Sequence, residues 1–138
     1  MDLDSFTGGY NRAYAVVNIE AVRRNILKSR EFLPENTGII AVIKTDAYGH
    51  GAAKVADAVK DITAGFAVAT IDEAVELREA GITSHIIVLG YISPREYAAA
   101  IEHDIILSMF DYKQACALSE LAGTMGKCGR CHIKIDKI

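Results

Sequence analysis

One stretch decides the fold: Ile39-Ile40-Ala41-Val42-Ile43-Lys44-Thr45-Asp46-Ala47-Tyr48-Gly49-His50-Gly51. Its continuous apolar half is typical of a buried parallel strand. Lys44 ends that strand, at the position where (β/α) barrel enzymes keep their catalytic groups. An amine there can be partly desolvated, which frees a nucleophilic lone pair. The alternative is a strand-end lysine that points into water, because lysines are rarely buried.

The composition excludes several classes of protein. The 138 residues are 51% hydrophobic and 24% charged, which predicts a globular domain with its own core. The net charge of −3 provides no general attraction to nucleic acid or to an anionic membrane. No apolar run approaches the ~20 residues that cross a bilayer. Residues 1–10 lack the pattern of a secretory signal, so we expect a cytoplasmic protein.

The cysteines do not predict a disulfide framework or a metal centre. There are three, Cys116, Cys128 and Cys131, and an odd number without a signal peptide argues against disulfides. A structural zinc site needs four ligands, and no second Cys or His pair lies at suitable spacing. A redox Cys-x-x-Cys pair usually opens a helix, whereas Cys131 leads into the strand-like residues 132–135. We therefore expect free thiols and no metal.

Beyond residue 38 the chain alternates between apolar strands and amphipathic helices. The expected strands are 38–44, 65–69, 85–89, 105–109 and 131–136, and the expected helices between them are 52–62, 71–80, 94–103 and 112–122. Capping boxes at 70–73 and 93–96, and Asp111 with Gln114, mark three helix starts. Parallel strands require such crossovers. The pattern predicts an α/β fold and fits either an open doubly wound sheet or part of a (β/α)8 TIM-type barrel.

The amino-terminal part precedes this alternation. Residues 14–19 are rich in β-forming types, and a helix with one apolar face follows them and ends before Pro34. We expect residues 1–37 to form an amino-terminal strand and helix, and residues 38–138 to form the first part of the barrel. The first strand is not followed by G-x-G-x-x-G, which disfavours a dinucleotide-binding fold.

Several segments together resemble the alanine racemase family. They are Tyr14-Ala15-Val16-Val17-Asn18-Ile19, the segment from Lys44 to Gly51, Phe66-Ala67-Val68-Ala69 with Glu73-Ala74, Ile87-Val88-Leu89-Gly90 and His132-Ile133-Lys134-Ile135-Asp136. The resemblance implies the barrel rather than the open sheet. It also implies an isomerase that uses pyridoxal 5'-phosphate to interconvert L- and D-alanine and supplies D-alanine for peptidoglycan.

The resemblance implies roles for five residues. Lys44 would form the aldimine with pyridoxal phosphate and act as one of two catalytic bases. Tyr48 would hydrogen-bond the cofactor phosphate, its alternative role being to pack the loop against the first helix. Val42 and Leu89 would line the cofactor pocket, and both could instead be barrel core. Lys134 matches a lysine that is carbamylated in many members, and could instead be an ordinary strand lysine.

The resemblance also has a limit. Members of the family are much longer, and after Asp136 their pattern calls for a Thr-Gly-Met-like loop, where this chain reads Lys137-Ile138. The last barrel strands and the β-domain that supplies the opposite-face tyrosine across the homodimer have no counterpart. We therefore expect a fragment that does not racemise alanine alone. Two alternatives stay open: another pyridoxal-phosphate barrel protein, such as a decarboxylase or a cofactor-homeostasis protein, and a catalytically dead binding or assembly module.

Overall fold

A single five-stranded parallel sheet organises the chain. The computed structural model describes residues 15–135, with strands β1 (Ile40–Val42), β2 (Gly65–Val68), β3 (His85–Val88), β4 (Ile106–Met109) and β5 (Arg130–Ile133). The strands lie in the order β1-β2-β3-β4-β5, and each pairs in parallel with the next. A doubly wound sheet reverses its strand order at a switch point, whereas a barrel adds strands consecutively. The order therefore confirms the partial barrel.

The first helix precedes the sheet, and the others connect its strands. They are α1 (Ile19–Arg30), α2 (Lys44–Gly49, a left-handed turn), α3 (Ala52–Val59), α4 (Ile71–Glu79), α5 (Tyr97–Glu102) and α6 (Tyr112–Met125), with a short 3₁₀ helix at Pro94–Glu96. Both expected capping boxes are formed, with Thr70 and Ser93 as the N-caps. The Asp111 side chain caps α6 by accepting a hydrogen bond from the Gln114 N–H. These caps confirm three helix starts that the sequence predicted.

The core lies between the sheet and its helices. Phe66, Val68, Ile86, Val88 and Leu107 are completely buried on the helix-facing side of β2, β3 and β4. Burying each of these side chains contributes about 1.5–3 kcal/mol. The opposite, concave face is more open, which is what an arc of a barrel would present. α1 has no fully buried residue and packs on this core through partly buried side chains.

Arg78 ties together the segments that enter β3 and β4. Its Nε donates to the His103 carbonyl at 2.9 Å, and its Nη1 donates to the carbonyls of Ile82 and Ser84, both at 2.7 Å. Its Nη2 donates to the Asp104 carbonyl at 2.9 Å. Burial lowers the pKa of Arg78, but a guanidinium stays protonated throughout the physiological range. The side chain thus joins α4 to the loop between α5 and β4.

Two expectations about the amino-terminal part of the fold are wrong. Residues 15–18 form no strand, and α1 begins at Ile19; residues 1–14 and 136–138 lie outside the described part of the chain. The reason is local, since Asn18 is the N-cap of α1 and its Oδ1 accepts the Ala21 N–H at 3.0 Å. The first barrel strand ends at Val42 and not at Lys44. The proposed division into 1–37 and 38–138 stays a prediction.

The three cysteines, Cys116, Cys128 and Cys131, are free and exposed. Across residues 15–135, no helix combines the length and the apolar character that a membrane crossing requires.

Candidate functional site

The candidate site lies at the carboxyl edge of the sheet. Lys44 follows β1 and is half-buried, and Leu89 follows β3 at the same edge because the strands are parallel. The Leu89 N–H continues the ladder by donating to the Val68 carbonyl at 2.9 Å. The structure therefore places the lysine at the strand end that the sequence indicated, although the strand itself stops earlier.

The segment after Lys44 has an unusual backbone. The φ angles of Thr45, Asp46, Ala47 and Tyr48 are 54°, 52°, 53° and 56°, which is the left-handed helical region. Each non-glycine residue in a left-handed helix costs about 1–2 kcal/mol. The β-branched Thr45 is the least suited of the four. Strain of this kind persists only where neighbouring groups hold it, and it clusters at ligand sites. The sequence indicated only a glycine-containing loop here.

Hydrogen bonds within the loop hold part of this turn. The Ala47 N–H donates to the Ile43 carbonyl at 2.9 Å, and the Gly51 N–H donates to the Asp46 carbonyl at 3.0 Å. The Asp46 Oδ1 accepts the Ala52 N–H at 2.7 Å, at the start of α3. Ala47 is buried in the core, so the turn is also packed from below.

His50 belongs to the same turn. Its Nδ1 lies 2.8 Å from the Ala47 carbonyl oxygen, which is the geometry of a hydrogen bond donated by the ring. The side chain therefore supports the backbone of its own loop.

A carboxylate from the first turn of α4 completes the support. Glu73 Oε1 accepts the Thr45 N–H at 2.7 Å, and Glu73 Oε2 accepts the Ala69 N–H at 2.7 Å. The same Oε2 lies 3.4 Å from the Thr70 nitrogen as part of the capping box of α4. The sequence predicted the capping box but not the bond to Thr45.

The other residues implied for the cofactor lie on open surface. Tyr48 is 60% exposed, Val42 is 43% exposed and Leu89 is 36% exposed. Val42 and Leu89 lie outside the core that residues 15–135 form, and the alternative role of both in a barrel core stays a prediction. The Tyr48 ring is mostly free, so packing of the loop against the first helix uses little of it. Their roles toward a cofactor stay predictions.

Lys134 lies far from Lys44 along the sheet. It follows β5, the last strand, whereas Lys44 follows β1, so the structure does not bring the two lysines together. The Lys134 N–H donates to the Met109 carbonyl at 2.9 Å, and its ammonium lies 5.4 Å from the centroid of the Phe110 ring. Such a cation–π contact contributes about 0.5–1 kcal/mol at an exposed site.

A polar pair on β4 and β5 was not indicated by the sequence. Ser108 is buried, and its Oγ donates to the Val88 carbonyl at 2.6 Å. The same Oγ lies 2.7 Å from His132 Nε2. Because the Ser108 proton is used on Val88, His132 Nε2–H is the donor in the second bond. Only the strand register, with Ser108 opposite His132, reveals this pair.

These features define a class of protein. Consecutive parallel strands covered by helices, with a half-buried lysine, an exposed tyrosine and a strained turn at the carboxyl edge, are the features of an arc of a (β/α) barrel.

Comparisons with known proteins identify the family. Residues 17–137 match the family described as "Alanine racemase, N-terminal domain". "Alanine racemase 2" of Oceanobacillus iheyensis is 37% identical over 132 residues, which are 94% of this chain and 33% of that protein. The alanine racemase of Clostridium difficile 630 in complex with cycloserine is 36% identical with a TM-score of 0.85, over 87% of this chain and 32% of that one.

A racemase for another amino acid is also similar. The histidine racemase of Leuconostoc mesenteroides is 29% identical with a TM-score of 0.74, over 82% of this chain and 30% of that one.

The chain belongs to the alanine racemase family and matches its N-terminal domain. It spans about a third of the length of the relatives that it matches.

Proposed function

We propose that this chain contributes the N-terminal part of a pyridoxal-phosphate-dependent alanine racemase, an isomerase that interconverts L- and D-alanine. The observation that carries the proposal is the position of Lys44, half-buried at the carboxyl end of β1 in a chain of this family. The curated relatives named alanine racemase support alanine as the substrate.

The residues at the carboxyl edge have the chemistry that pyridoxal phosphate requires. A partly buried amine can attach covalently to an aldehyde, a phenol O–H can bond a phosphate oxygen, and apolar side chains can contact a ring. The amine is that of Lys44, the phenol is that of Tyr48, and the apolar side chains are those of Val42 and Leu89. The bound cofactor would accept the electron pair left when the substrate Cα loses its proton.

The protein's own part in the reaction is proton transfer. Released from the cofactor, the Lys44 amine would take or deliver the proton at the substrate Cα on one face. The turn after Lys44 would keep that amine at the carboxyl edge of the sheet. The neutral Lys134 amine would add CO₂ and release a proton to form a carbamate. This replaces the cation beside Phe110 with an anion able to pair with an arginine. We further propose a cytoplasmic homodimer that provides D-alanine for peptidoglycan.

A second candidate is racemisation of a different amino acid. The similarity to a histidine racemase favours it, because the same barrel arc serves a larger substrate in that protein. The residues described here hold the cofactor and one base, and these are common to both candidates.

Solvent-deuterium exchange tests the proposal. The chain is incubated with pyridoxal phosphate in D₂O together with alanine, serine or histidine, and deuterium at Cα is measured. We expect incorporation into alanine that is lost in Lys44→Ala and kept in Lys54→Ala, a matched change at an exposed lysine of α3. Incorporation that survives Lys44→Ala would contradict the proposal. Faster exchange of histidine would favour the second candidate.

A chimera tests the complete activity. The chain replaces the matching third of the Oceanobacillus relative, and L-to-D conversion is measured with and without Lys44→Ala. We expect conversion at ~1–10³ s⁻¹ that depends on Lys44. A soluble chimera that binds the cofactor but does not convert alanine would refute the function.

A further inference from the structure

The Glu73 carboxylate joins two loops that follow adjacent strands. One oxygen, Oε2, accepts N–H groups at the end of β2, where it completes the capping box of α4. The other oxygen, Oε1, accepts the Thr45 N–H at 2.7 Å, in the loop after β1. The capping box explains the first bond and leaves the second unexplained, since a cap satisfies only its own helix.

A second capping box in the chain provides the comparison. Glu96 has the same position in its box, and its Oε2 accepts the Ser93 N–H at 3.1 Å. Glu96 is exposed, whereas Glu73 is half-buried between the two loops. The bond between loops is thus a property of Glu73 and not of capping boxes in general.

We propose that Glu73 is a positioning residue for Lys44, holding the peptide unit that joins Lys44 to Thr45. The peptide group is planar, so the Thr45 N–H and the Lys44 carbonyl move as one unit. A bond that fixes this N–H therefore fixes the backbone from which the Lys44 side chain departs. This inference rests on the proposed function, in which Lys44 is the reactive amine.

The strained turn explains why such a bond is needed. Thr45 is the first of four consecutive left-handed residues, and its own N–H is bonded outside the loop, to Glu73. Without an outside partner, Thr45 could relax to an ordinary conformation and carry the Lys44 carbonyl with it. An ionised carboxylate suits the task because it has two acceptor oxygens and no donor. A glutamine would present an N–H to one of the two amides.

Amide hydrogen exchange and cofactor attachment test the proposal together. The full chain is compared with Glu73→Gln, Glu73→Asp and the matched control Glu96→Gln. Aspartate keeps the charge and suits the first turn of a helix, but it is one methylene too short to reach both loops. We expect the Thr45 amide to exchange about tenfold faster in both Glu73 variants. The amount of pyridoxal phosphate that borohydride fixes to Lys44 should also fall about tenfold when the cofactor is subsaturating. Glu96→Gln changes neither quantity.

Two results would overturn the proposal. One is an unchanged Thr45 exchange rate in Glu73→Asp or Glu73→Gln. The other is faster exchange without any loss of attachment at Lys44, which would make Glu73 a purely structural residue. Failure of the proposed function is a separate result, since it is seen in the unsubstituted chain as attachment at a lysine other than Lys44.

Discussion

Arg78, in α4, should be among the most sensitive positions for the stability of the fold. Its guanidinium makes four hydrogen bonds of 2.7–2.9 Å to backbone carbonyls. A hydrogen bond to a charged group contributes ~1.5–3 kcal/mol. The four are not additive, and Arg78 is only partly buried, so released carbonyls recover water. We expect Arg78→Ala to cost about 3 kcal/mol, a large share of the ~5–15 kcal/mol that stabilises a domain.

Arg78→Lys separates charge from shape. An ammonium keeps the charge but cannot reproduce the planar fork, so we expect about half of the loss. The free energies come from urea unfolding followed by circular dichroism. In thermal unfolding followed by the same signal, the alanine variant should lower the melting temperature by about 10 °C. Arg95→Ala, at an exposed arginine, is the control and should stay within ~0.5 kcal/mol of the unsubstituted chain. A loss below ~1 kcal/mol in Arg78→Ala would refute the reasoning.

Two further predictions concern pH and close packing. The hydrogen bond from Arg23 lowers the pKa of Asp61 from 3.8 to about 2, so the contribution of this ion pair is present above pH 3.8 and is lost as the pH falls toward 2. The protection of the α1 amides, taken relative to the intrinsic exchange rate at each pH, should therefore fall over that range. Asp61→Asn should abolish this fall, and a protection that does not change with pH would count against the pair. A Cβ on Gly65 would lie 2.5 Å from the His85 carbonyl oxygen, so Gly65→Ala should cost about 1–3 kcal/mol in urea unfolding. Gly123→Ala, in open space on α6, should instead stabilise by ~0.5–1 kcal/mol, and equal effects at the two glycines would contradict this packing.

Local signals made the alternation of strands and helices predictable, whereas the choice of a barrel over an open sheet came from the resemblance to the alanine racemase family. Thr70, Ser93 and Asp111 each cap a helix where the sequence indicated a start, because an N-cap bond involves residues only two or three apart. The apolar runs between them became strands, of which β2 is buried throughout whereas β1 and β5 are mostly exposed. Lys44 could be placed at the carboxyl edge because it directly follows the apolar run that contains β1.

The support of the site could not be predicted, because it depends on contacts between distant segments. The left-handed turn at residues 45–48 contains no glycine, and left-handed conformations are usually inferred from glycine. The bond from Thr45 to Glu73 spans 28 residues, and the pair Ser108–His132 spans 24. Both follow from the parallel register of neighbouring strands. The expectation of a strand at 14–19 was wrong for a local reason. Asn18 caps α1, and this cap determines the conformation there.

Chemical identification of the lysine that holds pyridoxal phosphate is the most direct measurement. The chain is mixed with the cofactor, reduced with borohydride and digested with trypsin. Modification of Lys44 blocks cleavage there, so a phosphopyridoxyl peptide covering residues 31–54 should accumulate, and it should be missing in Lys44→Ala. Lys54→Ala should leave the modification at Lys44 intact. Stable attachment at Lys134 or any other lysine, with Lys44 still cleaved, would contradict the assignment of Lys44 as the cofactor anchor.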